Sequence, residues 1–347
     1  RVRQSRNKPA MYAQVLYQCQ PVNEKPLVFK EIDKPVAEAG DVLIKVHACG
    51  ICRTDLHVVE GELDPGRYHL PVIPGHQVVG TIESAPTDSL LRPGQRVGVP
   101  WLNATCGGCR FCQSGRENLC DTPEFTGWTR NGGFAEYVTA PADFVYELPP
   151  QLSDIEAAPL LCAGIIGYRC LRQCELENWN GAKLGLYGFG AAGHIAIQIA
   201  RHRGAEVYVC TRDHERHQKL AEELGATWVG GTLETPPEKL DASVIFAPAG
   251  EIVPVALSAL DRDGRLVLGG IHMSPIPEFP YRDIYWERVI RSVANNTRAD
   301  GREFIAEAVQ AGIQTHTEIF PLAEANEALL ALKQDAIKGA GVLVTDQ

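Results

Sequence analysis

A glycine-rich turn between a predicted strand and a predicted helix constrains the fold of this chain more than any other feature. Gly188, Gly190 and Gly193 lie in the segment YGFGAAGH, after the apolar run 183–187 and before a helical pattern over 195–202. A strand, a tight glycine turn and a helix N-terminus in this order direct backbone N–H groups at the pyrophosphate of a dinucleotide. The three glycines are therefore predicted to bind a dinucleotide cofactor.

Strands and helices alternate around this turn, which predicts the class of its domain. Strands are predicted at 206–210, 227–229, 243–246, 265–269 and 289–293, and helices at 154–172, 214–224, 252–260 and 302–311. This rhythm is typical of an α/β domain with a doubly wound parallel sheet. Short β-type runs at 14–17, 42–47, 78–82, 96–99 and 134–139 precede it, and a run at 316–319, a helix at 322–332 and a strand at 341–344 follow it. A length of 347 residues agrees with two domains of about 150 residues each.

Four cysteines close together predict a metal site. Cys106, Cys109, Cys112 and Cys120 follow a C-x2-C-x2-C-x7-C spacing. Four thiolates saturate a tetrahedral zinc ion, so this zinc is predicted to be structural. Two disulfides or an iron–sulfur cluster are the alternatives, although Asp121 stands where the bacterial ferredoxin pattern has proline.

Three further residues predict a second, open zinc site. Cys52, His76 and Cys162 would supply three ligands and leave a fourth position free for substrate. Each of them alone could equally be an ordinary buried side chain. Near Cys52, we expect Asp55 to orient the ligand histidine from outside the metal shell. Thr54 and His57 are candidates for proton transfer, with ordinary loop polarity as the alternative.

The end of the second strand bears on the choice of cofactor. NAD-binding domains usually place a carboxylate there, whereas this chain has Thr211 and Arg212. Glu206 lies at the other end of the strand and Asp213 lies past its tip. Hydroxyl and guanidinium donors suit a 2′-phosphate, so NADP(H) is predicted. The alternative is that Asp213 bends back and binds the ribose of NAD.

Charge and hydropathy exclude several partners. Lys and Arg total 33 against 43 Asp and Glu, a net charge of −10, which argues against a nucleic-acid or anionic-membrane partner. No run of about 18 apolar residues predicts a membrane span. Residues 1–10 are basic and polar and lack the apolar segment of a secretory signal, so we expect a loose extension on a cytoplasmic protein. Its 11 cysteines are then expected as reduced thiols or metal ligands.

Taken together, the segments resemble the zinc-containing medium-chain alcohol dehydrogenase family, over nearly the whole chain. GICRTDLH, PGHQVVG, the four-cysteine segment, PLLCAG and GFGAAG occur in the family's order, and RVIRSVANNTR is similar to a segment of its bacterial primary-alcohol branch. The resemblance implies a GroES-like β-barrel catalytic domain over 1–158 and 298–347 and an inserted Rossmann domain over 159–297. It places the active site in the cleft between them.

The resemblance also implies roles for individual residues. The three open-site residues would hold catalytic zinc, Thr54 and His57 would relay the proton, and Arg53 would contact a cofactor phosphate. The strand near 290–293 would join two Rossmann sheets, which implies a homodimer or homotetramer. Many relatives carry glutamate after the ligand histidine, where this chain has Gln77. We expect an active site with altered ligand-exchange kinetics.

The predicted function is reversible hydride transfer between NADP(H) and a primary or aromatic alcohol/aldehyde pair, with two zinc ions per chain. Trp101 and Leu102 are expected to wall the substrate pocket, although core packing explains Trp101 as well. An NAD-dependent alcohol or polyol dehydrogenase of the same family is one alternative. A non-catalytic, zinc-containing module that senses redox state is the alternative from a different class.

Overall fold

The first half of the chain consists of short strands with few helices. The structure, a computed structural model, describes residues 9–345. The elements of this half are β1 (Ala10–Leu16), β2 (Leu27–Asp33), β3 (Asp41–Ile51), α1 (Arg53–Glu60), β4 (Gln77–Ser84), β5 (Arg96–Val99), β6 (Leu102–Ala104), α2 (Arg110–Gln113), β7 (Glu124–Phe125), β8 (Tyr137–Pro141) and β9 (Tyr146–Glu147).

Helices and strands alternate after residue 150. The elements are α3 (Asp154–Pro159), α4 (Ile165–Gln173), β10 (Lys183–Tyr187), α5 (Ala191–His202), β11 (Glu206–Cys210), α6 (Lys219–Glu223), β12 (Trp228–Gly230), β13 (Leu240–Ile245), α7 (Ile252–Ala259), β14 (Leu260–Leu268), β15 (Val289–Ser292), α8 (Arg298–Ala311), β16 (Thr317–Pro321), α9 (Ala325–Lys333) and β17 (Ala340–Val344). A π-helical turn, Leu160–Gly164, joins α3 to α4.

One parallel sheet contains β10 to β15. Its order is β12-β11-β10-β13-β14-β15, and every pairing in it is parallel. Counted from β10, this is the 3-2-1-4-5-6 order of a doubly wound dinucleotide-binding sheet. Burial is nearly continuous along β10, as expected of a strand covered by helices on both faces. The predicted α/β class with a doubly wound parallel sheet is confirmed.

A second sheet joins the two ends of the chain. Its order is β16-β17-β3-β4-β5-β9, and β8 also pairs with β3. β17 runs antiparallel to β3, so the C-terminal strands return to the sheet of the N-terminal half. The predicted domain boundaries, 158/159 and 297/298, fall at the end of α3 and the start of α8. These boundaries stay a prediction.

Several local predictions differ from the structure. The helix predicted at 154–172 contains the π-helical turn, and the segment GICRTDLH, treated as a loop, contains α1. The β2 strand was not predicted, because most of its residues are exposed and show no alternation. The extension predicted over 1–10 is wrong at Ala10, which begins β1, while residues 1–8 lie outside the described residues. No helix within 9–345 is long and apolar enough to cross a membrane.

Packing between α8 and the π-helical turn holds Cys162 in place, which leads to a stability prediction. Phe304 is fully buried, and a Cβ built at Gly164 would lie 2.4 Å from its ring. Phe304→Ala should lower the free energy of unfolding by about 3–5 kcal/mol, because it leaves a cavity behind the turn. Leu90, which is 92% exposed, provides the control, and Leu90→Ala should cost less than about 0.5 kcal/mol. Denaturant titration followed by circular dichroism measures both, and similar losses would contradict the prediction.

Candidate active site

The side chains of Cys52, His76 and Cys162 come together from three parts of the chain. Their ligand atoms all lie within 4.8 Å of one another, and Cys52 Sγ is 3.2 Å from His76 Nε2. Cys52 immediately precedes α1, His76 immediately precedes β4, and Cys162 lies in the π-helical turn. The tertiary structure thus brings all three predicted open-site residues to one point.

The buried carboxylate of Asp55 organises this cluster. Asp55 is 1% exposed, and its Oδ1 lies 3.0 Å from His76 Nδ1. Its Oδ2 accepts a hydrogen bond of 2.8 Å from the backbone N–H of Cys52, while Cys52 Sγ accepts one from the backbone N–H of Thr54. Because the carboxylate engages Nδ1, the other ring nitrogen of His76 faces the sulfur of Cys52.

The electrostatics of the cluster favour a cation. A hydrogen bond from Cys162, together with the neighbouring His76, holds the pKa of Cys52 well below its usual value despite burial. Burial opposes protonation of His76, but Asp55 and Cys52 raise its pKa to about 10. Two sulfurs and one imidazole nitrogen are the donor set of a catalytic zinc site with three protein ligands. The residues present therefore fit a zinc ion with one free coordination position.

Thr54 and His57 lie on α1, beside this cluster. They are three residues apart, a spacing that makes them neighbours on one helical face. His57 Nδ1 is 2.5 Å from Glu62 Oε2, and the His57 ring lies 5.9 Å from the ring of His272. Sequence reasoning missed both Glu62 and His272, since neither belongs to a motif and only the tertiary structure brings His272 to α1.

Trp101 and Leu102 share one hydrophobic core, and Trp101 also contacts His76. The Trp101 ring meets His76 edge-on at 5.0 Å between centroids, and it is 8% exposed. Trp101 therefore adjoins the metal-ligand cluster and also packs in the hydrophobic core. Leu102 is 1% exposed and belongs to the same core. Of the two residues predicted to line the substrate pocket, Trp101 is therefore the better placed.

Gln77 is fully enclosed next to His76. It is 1% exposed, and a Cβ built at Gly50 would lie 2.9 Å from its Oε1. Its Nε2 has no hydrogen-bond partner in the part of the chain that the structure describes. The expected change in ligand exchange stays a prediction.

The four clustered cysteines form a compact quartet. Their closest sulfur–sulfur distances are 3.5 Å for Cys106 and Cys120, 3.6 Å for Cys109 and Cys112, and 4.0 Å for Cys106 and Cys112. Four zinc–sulfur bonds of about 2.3 Å give tetrahedral edges of about 3.8 Å, whereas a disulfide needs about 2.05 Å. All four are free thiols. The quartet fits one tetrahedral ion, which disfavours the two-disulfide alternative.

The four-cysteine segment docks on the start of α8. Asn118 Nδ2 donates to the carbonyl of Ala294 at 2.8 Å, and the backbone N–H of Arg298 donates to Glu117 Oε1 at 3.0 Å. Hydrogen bonds from Arg298 hold the pKa of Glu117 below its usual value despite burial. The four-cysteine segment is thereby connected to residues 294–298, which lead from the parallel sheet into α8.

The glycine turn has the backbone that its predicted function requires. Gly188 adopts φ +90°, which a glycine reaches without strain. A Cβ at Gly193 would lie 2.8 Å from the carbonyl oxygen of Gly188, so α5 packs directly on the turn. A Cβ at Gly190, the N-cap of α5, meets nothing within 4 Å. The backbone at Gly190 is therefore open to a ligand, in the position expected for a pyrophosphate.

Residues just after β11 contact charged side chains that the sequence did not indicate. Thr211 is buried, while Arg212 donates to Asp335 Oδ2 at 2.8 Å. The carboxylate of Asp213 accepts from the backbone N–H of Arg216 at 3.0 Å and so caps the following helical turn. Arg53, predicted to contact a cofactor phosphate, lies 3.8 Å from Asp335 Oδ1.

Comparisons with known proteins agree with this fold and this residue set. A model described as alcohol dehydrogenase GroES-like domain matches residues 38–150, and one described as zinc-binding dehydrogenase matches residues 191–310. A probable alcohol dehydrogenase AdhA of Mycobacterium tuberculosis is 46% identical, with 93% of this chain and 94% of the relative covered. An alcohol dehydrogenase of Geobacillus stearothermophilus is 36% identical, with 93% and 97% covered.

Solved structures give the same result. The alcohol dehydrogenase of Aeropyrum pernix superimposes with a TM-score of 0.85 at 28% identity, covering 96% of this chain and all of that one. A cinnamyl alcohol dehydrogenase of Sorghum bicolor gives 0.86 at 27% identity, with 97% and 98% covered. Fold and site thus define an oxidoreductase with a GroES-like and a Rossmann part. The chain belongs to the zinc-containing medium-chain alcohol dehydrogenase family, which favours an enzyme over the non-catalytic module.

Two glycines of the turn should respond differently to alanine. Gly188→Ala should lower the free energy of unfolding by about 1–3 kcal/mol, because its positive φ is strained for alanine and its Cβ would lie 2.9 Å from the backbone nitrogen of Ala247. Gly190→Ala is the comparison and should destabilise less than Gly188→Ala, since its φ of −91° is negative, its ψ of −149° lies only just beyond the extended region, and its surroundings are open. Thermal unfolding compares the two, and equal melting temperatures would refute the assignment.

Proposed function

We propose that this protein is a zinc-dependent alcohol dehydrogenase and aldehyde reductase that prefers NADP(H) and acts on primary or aromatic alcohol/aldehyde pairs. One observation carries the proposal: the cluster of Cys52, His76 and Cys162 lies within 4.8 Å in a chain that also presents an open glycine turn after β10. A three-ligand metal position and a dinucleotide site are the two parts that hydride transfer at a carbonyl requires.

Two zinc ions are proposed, with different functions. Cys52, His76 and Cys162 would hold the catalytic ion and leave one position open, whereas the four clustered cysteines would enclose a structural ion. When bound, the catalytic zinc supplies Lewis acidity to the substrate oxygen and the nicotinamide supplies the hydride. Asp55 keeps the His76 ring in the orientation that presents Nε2 to the ion. The aromatic ring of Trp101 beside His76 supports an apolar or aromatic substrate.

The proton is proposed to move along one face of α1. The Thr54 hydroxyl would donate its proton to the oxygen of the reduced substrate and regain one from His57, which would in turn take a proton from solvent. Their three-residue spacing on α1 supports this order. Glu62 Oε2, 2.5 Å from His57 Nδ1, would hold the ring with its other nitrogen free for the exchange.

The preference for NADP(H) rests on the tip of β11. Arg212 is 66% exposed there and forms an ion pair with Asp335, and the carboxylate of Asp213 is occupied as a helix cap. The alternative in which Asp213 binds the ribose of NAD would require that cap to break. A zinc-binding dehydrogenase of Sinorhizobium meliloti, a solved neighbour 26% identical to this chain, was crystallised with NADP. An NAD-dependent alcohol or polyol dehydrogenase of the same family is the alternative that the test below distinguishes.

The expected homodimer or homotetramer and the cytoplasmic location also remain proposals. β15 ends the parallel sheet and pairs with β14 alone in the described sheet. Most of its residues are exposed, so its outer edge offers unpaired backbone groups to a second copy. This edge coincides with the strand that the family resemblance assigns to a dimer contact.

Cofactor preference is tested by initial rates of reduction of one aromatic aldehyde. NADPH and NADH are compared at equal, sub-saturating concentrations, and NADPH should give the higher rate. Arg212→Ala should raise the KM for NADPH about tenfold, through the loss of one charge-assisted contact, and leave the KM for NADH nearly unchanged. Equal or faster rates with NADH in the wild type would retain the enzyme class and reject the cofactor preference.

The two metal sites are tested by counting zinc in variants. Native mass spectrometry of the wild type should show two zinc ions per chain. Cys112→Ser should lose one ion and lower the melting temperature, because metal binding there stabilises the folded segment. Cys162→Ser should lose the other ion and abolish turnover while it retains most of the stability. One zinc in the wild type, or identical effects of the two variants, would contradict the assignment.

A further inference from the structure

A single carboxylate, that of Asp335, lies among four basic side chains at the proposed cofactor cleft. Its Oδ2 is 2.8 Å from a guanidinium nitrogen of Arg212 and 3.3 Å from His217 Nε2. Its Oδ1 is 3.8 Å from Arg53, and its backbone oxygen accepts a hydrogen bond from Arg216. Burial alone would raise the pKa of Asp335, but His217 and Arg212 lower it. The carboxylate is therefore the shared anion of the group.

The group joins parts of the chain that belong to different sheets. Asp335 follows α9, which leads into β17 of the second sheet, whereas Arg212 and His217 follow β11 of the parallel sheet. Arg53 begins α1, next to the ligand Cys52. The anion thus bridges the two halves of the molecule at the place where the ribose end of a dinucleotide is expected.

We propose that Asp335 determines cofactor selectivity by competing with the 2′-phosphate of NADP(H) for Arg212. The inference rests on the proposed use of NADP(H) and extends it to a residue outside the Rossmann sheet. In the cofactor-free protein Asp335 occupies the guanidinium. A bound 2′-phosphate takes over that contact or shares it.

The charges explain the direction of the effect. A phosphate monoester carries about −1.5 to −2 charges at neutral pH, so it repels a carboxylate held on the same guanidinium. A 2′-hydroxyl carries no charge and is insensitive to that repulsion. Asp335 should therefore weaken binding of the phosphorylated form selectively. Since the Arg212 side chain is 66% exposed, solvent screens the interaction and limits the effect to a few-fold.

The substitution that tests this inference is Asp335→Asn. Asp335 adopts φ +57°, a conformation that asparagine tolerates well, so the backbone is retained while the charge is removed. Asp263→Asn is the matched control, because Asp263 has φ +59° and is exposed in β14. Both variants change one charge in the same backbone conformation.

The measurement is calorimetric binding of adenosine 2′,5′-bisphosphate and of adenosine 5′-monophosphate to the zinc-loaded full chain. Asp335→Asn should bind the bisphosphate about three- to fivefold more tightly and the monophosphate with unchanged affinity. Asp263→Asn should match the wild type with both probes. Weaker binding of both probes to Asp335→Asn would show that Asp335 acts only as a structural bridge, and would overturn the inference.

The wild-type data separate this inference from the cofactor proposal. If the wild type prefers the bisphosphate and Asp335→Asn leaves that preference unchanged, the selectivity function of Asp335 is rejected and NADP(H) use stands. If both the wild type and Asp335→Asn bind the two probes equally, NADP(H) use is rejected, and the inference about Asp335 is rejected with it.

Discussion

The hydrogen-bonded pair of Asp55 and His76 is the interaction on which the candidate active site depends. The carboxylate is buried and joins the His76 ring to the backbone of Cys52, so the residues that immediately precede α1 and β4 share one anion. A buried charge of this kind is stable only while its partners remain in place. The same constraint that orients the imidazole therefore fixes the helix that carries Thr54 and His57.

Packing against α8 positions Cys162, the third residue of the cluster. Cys162 lies in a π-helical turn rather than in regular helix, and such turns often occur at functional sites. Phe304 packs against the Gly164 backbone of that turn. The first residue of α8 also donates a hydrogen bond to Glu117 of the four-cysteine segment. The same helix therefore contacts both the proposed structural metal site and the turn that contains Cys162.

Charged side chains surround the proposed cofactor site, away from the cluster of Cys52, His76 and Cys162. The proposed cofactor site combines an open glycine turn with several basic side chains, and Asp335, in the turn between α9 and β17, balances them. The net charge of −10 therefore coexists with a local cationic group, since anion binding depends on local arrangement rather than on total charge.

The sequence by itself determined the parallel sheet, the glycine turn and the four-cysteine set, because periodicity and short-range spacing encode each of them locally. It also supplied Cys52, His76 and Cys162 as candidates, but only the fold decided that these distant residues meet. The sequence did not indicate β2, whose burial lacks a pattern, or the helical state of the segment that contains Asp55. Only the tertiary structure decided that Asp335 contacts Arg212. Long-range contacts between charged side chains leave no periodic signal, and they form only where folding brings distant elements together.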